Sequence, residues 1–173
     1  MIAAGFVKRQ GQDELFDAIF AHSEPRTVLT GMRGSGKTQL AAAVATRCEE
    51  EEWPLVAWIH ATSRKEIIVG LYELALRIGI DAPKNIPLEV IVQRLLDQLR
   101  SAEAADRLFV FDNVENPNDL RDLIPESTGV RTLITTTPHL DPGVAAVDGW
   151  RLRSGAVDHP PVRAYRRHSP RSS

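Results

Sequence analysis

The sequence contains few of the features that mark secreted or membrane proteins. Its single cysteine, Cys48, excludes an internal disulfide and fits a reducing compartment. No apolar run approaches the roughly 18 residues of a membrane-spanning helix. The first ten residues lack the apolar stretch and cleavage site of a signal peptide. The formal net charge of −2 gives no global indication of a nucleic-acid or membrane partner. A cytoplasmic protein is therefore expected.

The composition divides the chain into two unequal parts. A chain of 173 residues that is 43% hydrophobic is long enough for one domain with its own core. Residues 150–173 differ from the rest, because they hold six arginines, a single acid (Asp158) and several Pro, Ser and His residues. They show no apolar periodicity, so we expect a disordered tail. The predicted domain spans residues 1–149, with its core in residues 6–137.

Apolar periodicity predicts an alternation of strands and helices. The four runs typical of buried strands are Thr27–Thr30, Leu55–His60, Leu108–Phe111 and Val130–Thr135. Helical patterns run from Asp13, from Lys37 to about Glu52, from Ser63 to Gly79, from Pro87, and from Pro117 to Leu123. The order β-α-β-α-α-β-α-β predicts a three-layer α/β fold with a mostly parallel sheet. Val144–Val147 is a candidate fifth strand.

The segment from Gly31 to Thr38, GMRGSGKT, fits the phosphate-loop pattern G-x-x-x-x-G-K-[ST]. Glycines permit backbone angles that let the loop turn its N–H groups toward a phosphate. The helix that begins at Lys37 points its positive end at the same place. The Lys37 ammonium is expected to reach the β- and γ-phosphates. The full set of predicted phosphate-binding residues is Gly31, Arg33, Gly34, Ser35, Gly36, Lys37 and Thr38.

A carboxylate follows the third apolar strand, in the segment LFVFDN. Asp112 stands where a P-loop protein needs an acid to hold Mg²⁺, and the hydroxyl of Thr38 is the second predicted ligand. The next residue is Asn113, whose amide cannot accept a proton from an attacking water. Asp112 and Glu115 are the nearest acids that could take a catalytic role. ATP hydrolysis, if any, is therefore expected to be slow.

These motifs lie in a chain that resembles the NB-ARC nucleotide-binding domain of STAND-class signalling NTPases, from Phe6 to Thr137. The similar segments are FVKRQGQDEL, GMRGSGKTQLA, LVAWIHA, LFVFDNVENPNDLRDLIP and GVRTLITTT. The resemblance implies that ADP or ATP is bound with Mg²⁺, with the base and ribose near Val7, Arg9 and Gln39. It also implies a switch that is closed with ADP and that forms homo-oligomers with ATP, in signal transduction.

The chain departs from the family pattern in two places. The family has an arginine at the end of its sensor motif, where this chain has Thr137, which can donate a hydrogen bond but carries no charge. The helical and winged-helix subdomains that follow in the family are not recognisable after Gly149. The resemblance therefore describes a domain truncated after the sensor strand, either as a functional truncation or as a frameshifted fragment.

Two other functions remain open at this point. A P-loop ATPase of the AAA+ kind or a small-molecule kinase would turn ATP over, although no arginine-rich lid for a kinase is recognisable. The arginine-rich tail would suit nucleic-acid binding, but a solvated tail is the simpler interpretation.

Overall fold

A parallel sheet with helices on both faces forms the centre of the protein. The computed structural model describes residues 12–20, 25–31, 33–137 and 151–154. The elements are α1 (Gln12–Phe20), β1 (Arg26–Thr30), α2 (Lys37–Glu50), β2 (Leu55–His60), α3 (Arg64–Arg77), α4 (Leu88–Ser101), β3 (Arg107–Val114), a 3₁₀ turn (Pro117–Leu120), β4 (Val130–Thr136) and β5 (Arg151–Ser154).

The strands stand in the order β2-β3-β4-β1-β5, and every neighbouring pair is parallel. β1 and β3 both lie beside β4 and run in the same direction, so their carboxyl ends meet at one edge of the sheet. The loop after β1 and the acid in β3 are therefore brought to the same place, although they are far apart in sequence. The predicted α/β P-loop fold is confirmed.

Each face of the sheet has its own apolar core. On one face, α3 and α4 pack against Ala57, Ile59 and Phe111, among others. On the other face, α1 and α2 cover Leu108 and Val110. Alternate residues of β3 thus enter opposite cores, and this explains why its sequence is a continuous apolar run rather than an alternating one. The three layers place α2 against one face of the sheet.

Helix α4 shows a difference from the sequence prediction. The sequence spacing predicts an apolar side made of Val90, Ile91, Leu95 and Leu99, with the stem of Arg94. The structure buries Ile91, Val92, Leu95, Leu96 and Leu99 and leaves Val90 42% exposed. Val90 stands in the first turn of the helix. The prediction was wrong because the buried face is turned slightly about the helix axis from the predicted one. Two adjacent apolar residues leave the centre of a helix face undetermined.

Strand β3 does not stop at Asp112, as the apolar run suggested. It continues to Val114, and its pairing with β4 is interrupted by a bulge between Phe111 and Val114. Asn113 occupies the bulge with a left-handed backbone (φ 62°). Asparagine adopts that conformation more readily than most residues, so the sequence is suited to the irregularity.

One described strand lies within the predicted tail. Arg151–Ser154 forms β5, which pairs with Thr27–Thr30 of β1. Without it, β1 would present an unpaired edge of backbone N–H and C=O groups, and pairing satisfies those groups whatever the side chains are. The short polar segment RLRS gave no apolar signal for a strand. The predicted strand at Val144–Val147 lies outside the described residues, and the domain boundary near Gly149 stays a prediction.

Candidate nucleotide-binding site

The loop between β1 and α2 has the backbone of an anion cradle. Gly34 and Gly36 adopt left-handed angles (φ 77° and 80°), which a residue with a side chain rarely takes. Gly36 is also the N-cap of α2 and gives the helix no side-chain cap, and the first turn of α2 holds no acid. The first N–H groups of this helix are therefore not satisfied by a capping side chain. They and the helix dipole favour a negatively charged ligand at this end.

The Lys37 side chain folds back over the loop. Its ammonium donates to the carbonyl oxygen of Gly31 at 2.7 Å and lies 3.4 Å from the hydroxyl of Ser35. Partial burial lowers the pKa of Lys37 from its ordinary value, and the negative charge of Asp112 opposes that shift. A cation with a reduced hydration shell and short loop contacts is placed to meet phosphate oxygens.

The predicted metal ligands are in direct contact. Thr38 Oγ1 donates to Asp112 Oδ1 at 2.9 Å, across 74 positions of sequence. Asp112 is only 6% exposed, and its backbone carbonyl also accepts the N–H of Ala61 at 2.8 Å, which anchors the end of β3 to the segment after β2. A hydroxyl and a buried carboxylate are the hard oxygen donors that Mg²⁺ prefers, together with phosphate and water. These two residues therefore fit the metal.

Thr135 completes this hydrogen-bond network, and sequence reasoning missed it. Its hydroxyl donates to Asp112 Oδ1 at 2.6 Å and accepts the backbone N–H of Asn113 at 2.8 Å. The neighbouring hydroxyl, of Thr136, donates instead to the carbonyl of Val114 at 2.6 Å. The run of threonines at the end of β4 was the available signal. It could not show which hydroxyl reaches Asp112, because the bulge in β3 changes the register there.

The remaining predicted site residues have varied positions. Gln39 is half-buried in the first turn of α2, and Arg33 and Glu115 are exposed. Thr137 directly follows β4, and its backbone carbonyl oxygen lies 3.3 Å from the Thr136 hydroxyl. Their predicted roles stay predictions, as do those of Val7 and Arg9, which lie outside the described residues.

The loop, the helix that follows it and the acid on a parallel sheet define a P-loop fold. Solved structures support this class. The chain is similar to a Cdc6p protein of Pyrobaculum aerophilum, with a TM-score of 0.59 and 16% identity, over 87% of this chain and 47% of that one. It is also similar to the ORC2 protein of Aeropyrum pernix, solved as complexes with ADPNP and ADP, with a TM-score of 0.52 and 21% identity, over 78% and 42% of the chains.

The chain is also similar in sequence to a plant protein. The chain is 28% identical over 129 residues to a protein of Arabidopsis thaliana described as a disease resistance protein. That match covers 64% of this chain and 11% of the plant protein, so the chain spans a small part of that relative. No family model matches the sequence. Together with the P-loop fold, the plant match supports the predicted resemblance to an NB-ARC/STAND-type P-loop domain.

Within the part of the chain that the structure describes, no helix combines the length and the apolarity required to cross a membrane.

Proposed function

We propose that this chain is an ADP- and ATP-binding module of the NB-ARC type, acting in a signalling or regulatory switch with slow or absent ATP hydrolysis. The observation that carries the proposal is the contact between Thr38 and Asp112 at 2.9 Å beside the glycine-rich loop. It puts a carboxylate that is chemically suited to a metal ion next to an uncapped helix end and a partly buried lysine. A nucleotide phosphate with its metal ion suits all of these features.

Each residue has a distinct role in this proposal. The loop N–H groups and Lys37 bind the phosphates, and Thr38 and Asp112 hold Mg²⁺, which would neutralise phosphate charge when bound. Asn113 stands directly after Asp112 and offers an amide rather than a carboxylate, so it cannot act as a general base. Glu115 is the next acid along the chain and is exposed. The site is therefore better suited to holding a nucleotide than to cleaving it.

The proposal is tested by measuring ADP and ATP affinity calorimetrically for the full chain and for Lys37→Ala. Removing a charged hydrogen-bond donor from the phosphates should weaken binding about 10- to 100-fold. Lys84→Ala is the matched control, because Lys84 is an exposed lysine on the connection between α3 and α4. Both variants should keep the far-UV spectrum of the parent chain. Unchanged affinity in Lys37→Ala would contradict the assignment of the loop.

A further inference from the structure

Thr135 forms a second hydrogen bond to the Asp112 carboxylate. It comes after Asp112 in the sequence, whereas the phosphate loop comes before it. Thr38 approaches Asp112 Oδ1 from the start of α2, at 2.9 Å, and Thr135 approaches the same oxygen from the end of β4, at 2.6 Å. Asp112 and Thr135 are both nearly excluded from solvent. The carboxylate is thus held by two hydroxyl groups from two separate elements of the fold.

The direction of the hydrogen bond from Thr135 is fixed by the backbone. A threonine hydroxyl has one proton to donate and accepts through its oxygen. The N–H of Asn113 donates to Thr135 Oγ1 at 2.8 Å, and a backbone N–H can only donate. The hydroxyl proton of Thr135 is therefore left for Asp112 Oδ1. The bulge that places Asn113 in its left-handed conformation is what presents this N–H to Thr135.

The two donors also determine how the carboxylate faces the phosphate loop. Each carboxylate oxygen accepts about two hydrogen bonds, so the hydroxyls of Thr38 and Thr135 fill Oδ1. Within the described residues, Oδ2 is then the oxygen left for a metal-bound water. Because Thr38 donates its proton to Asp112, its own oxygen keeps lone pairs for a cation. A rotation of the Asp112 side chain would disturb both potential ligands together.

We propose that Thr135 is a positioning residue for the magnesium site, which orients Asp112 and, through it, Thr38. The proposal rests on the proposed function, since it concerns the same site. Thr135 itself needs no contact with the metal or the nucleotide. Its effect should therefore appear only when Mg²⁺ is present, whereas a residue that merely supports the fold would affect binding with and without the metal.

The test compares Thr135→Val with Thr135→Ser and Thr136→Val. Valine keeps the shape of threonine and removes the hydroxyl, whereas serine keeps the hydroxyl. Thr136→Val removes a neighbouring buried hydroxyl whose partners among the described residues are backbone carbonyl groups, at Val114 and Thr137. ATP affinity is measured for each full-length variant with Mg²⁺ and with EDTA, and thermal unfolding is recorded beside it.

Adding Mg²⁺ should raise the ATP affinity of Thr135→Val about tenfold less than it raises that of the parent chain. In EDTA, Thr135→Val should bind ATP as the parent does. Thr135→Ser should keep most of the gain. Thr136→Val should unfold at a lower temperature with its Mg²⁺ dependence unchanged. If Thr135→Val does not fold, Thr135→Ala, which removes the hydroxyl without adding a methyl group, takes its place.

The positioning role is refuted if a hydroxyl-free variant keeps the full Mg²⁺ gain, or if Thr136→Val loses as much of it. A parent chain that binds ATP equally with and without Mg²⁺ would also overturn it. A parent chain that binds no nucleotide under either condition would overturn the proposed function itself. The two failures are therefore distinguishable from the parent measurements alone.

Discussion

Cys48 provides a direct probe of nucleotide binding, because it is the chain's single cysteine and lies in the helix that begins at Lys37. Its side chain is 0% exposed. Burial raises the pKa of Cys48 to about 12, and the nearby acids Glu51, Asp106 and Glu49 add to the shift. The thiol should therefore react with a thiolate-specific reagent only when α2 is released from the sheet.

The pKa of Cys48 determines how strongly its thiol is protected from the reagent. At pH 8, a pKa of about 12 leaves roughly one Cys48 in 10,000 as thiolate, against about one in ten for a thiol with the ordinary pKa of 9.0. Native Cys48 should thus react about a thousandfold more slowly than an exposed thiol, before steric exclusion is considered. A ligand at 100 times its Kd stabilises the folded state by about 2.7 kcal/mol, which corresponds to about 100-fold slower labelling through unfolding.

The assay is the release of thionitrobenzoate from a disulfide reagent, with and without saturating ATP and Mg²⁺, on the natural sequence. Labelling of the free protein should be limited by opening of the structure and should slow by up to about 100-fold with nucleotide. In Lys37→Ala the same nucleotide concentration should have much less effect. Equal labelling rates with and without nucleotide, or immediate labelling of the native protein, would refute the reasoning.

Three further predictions concern the backbone and the chemistry. Gly129→Ala should lower the free energy of unfolding by more than about 2 kcal/mol, since its φ of +86° is left-handed and an added Cβ would lie 2.3 Å from the carbonyl oxygen of Ala105. Gly79→Ala has the same kind of backbone (φ +89°) with open space around the added Cβ, so denaturant melts should show a cost of only about 1–2 kcal/mol. Single-turnover ATP cleavage should be slower than about one per second because Asn113 offers no base, and a faster rate measured by quench-flow would contradict this.

The layered fold and the main contact of the site could be predicted from the sequence, because both follow from general rules. Apolar runs mark strands that are buried on both faces, as in β3. Carboxyl ends of parallel strands meet at one edge, which brings Asp112 to Thr38. Both features are visible in residue type and spacing alone.

The role of Thr135 could not be predicted in the same way, because it depends on a local irregularity. The bulge between Phe111 and Val114 inserts one residue into β3, and this changes which residue of β4 faces Asp112. Residue types allow a bulge at Asn113 but do not require it. The resemblance directed attention to the last residue of the motif, Thr137, and the network uses a residue two positions earlier. Strand β5 was missed for a related reason, since backbone pairing needs no apolar side chains.

The proposed switch requires a difference between ADP and ATP, and the described residues limit where that difference can arise. A ligand must prefer one state by about 5.5 kcal/mol to move a population from 1:99 to 99:1. Thr137, in place of a charged side chain, can supply one neutral hydrogen bond of about 0.5–1.5 kcal/mol to a γ-phosphate. Among the described residues, most of the preference would therefore come from Lys37 and from a metal ion bound by Thr38 and Asp112. If both nucleotides compete equally for the site in Mg²⁺, this segment binds nucleotide without sensing it, and any switching must use residues beyond those described.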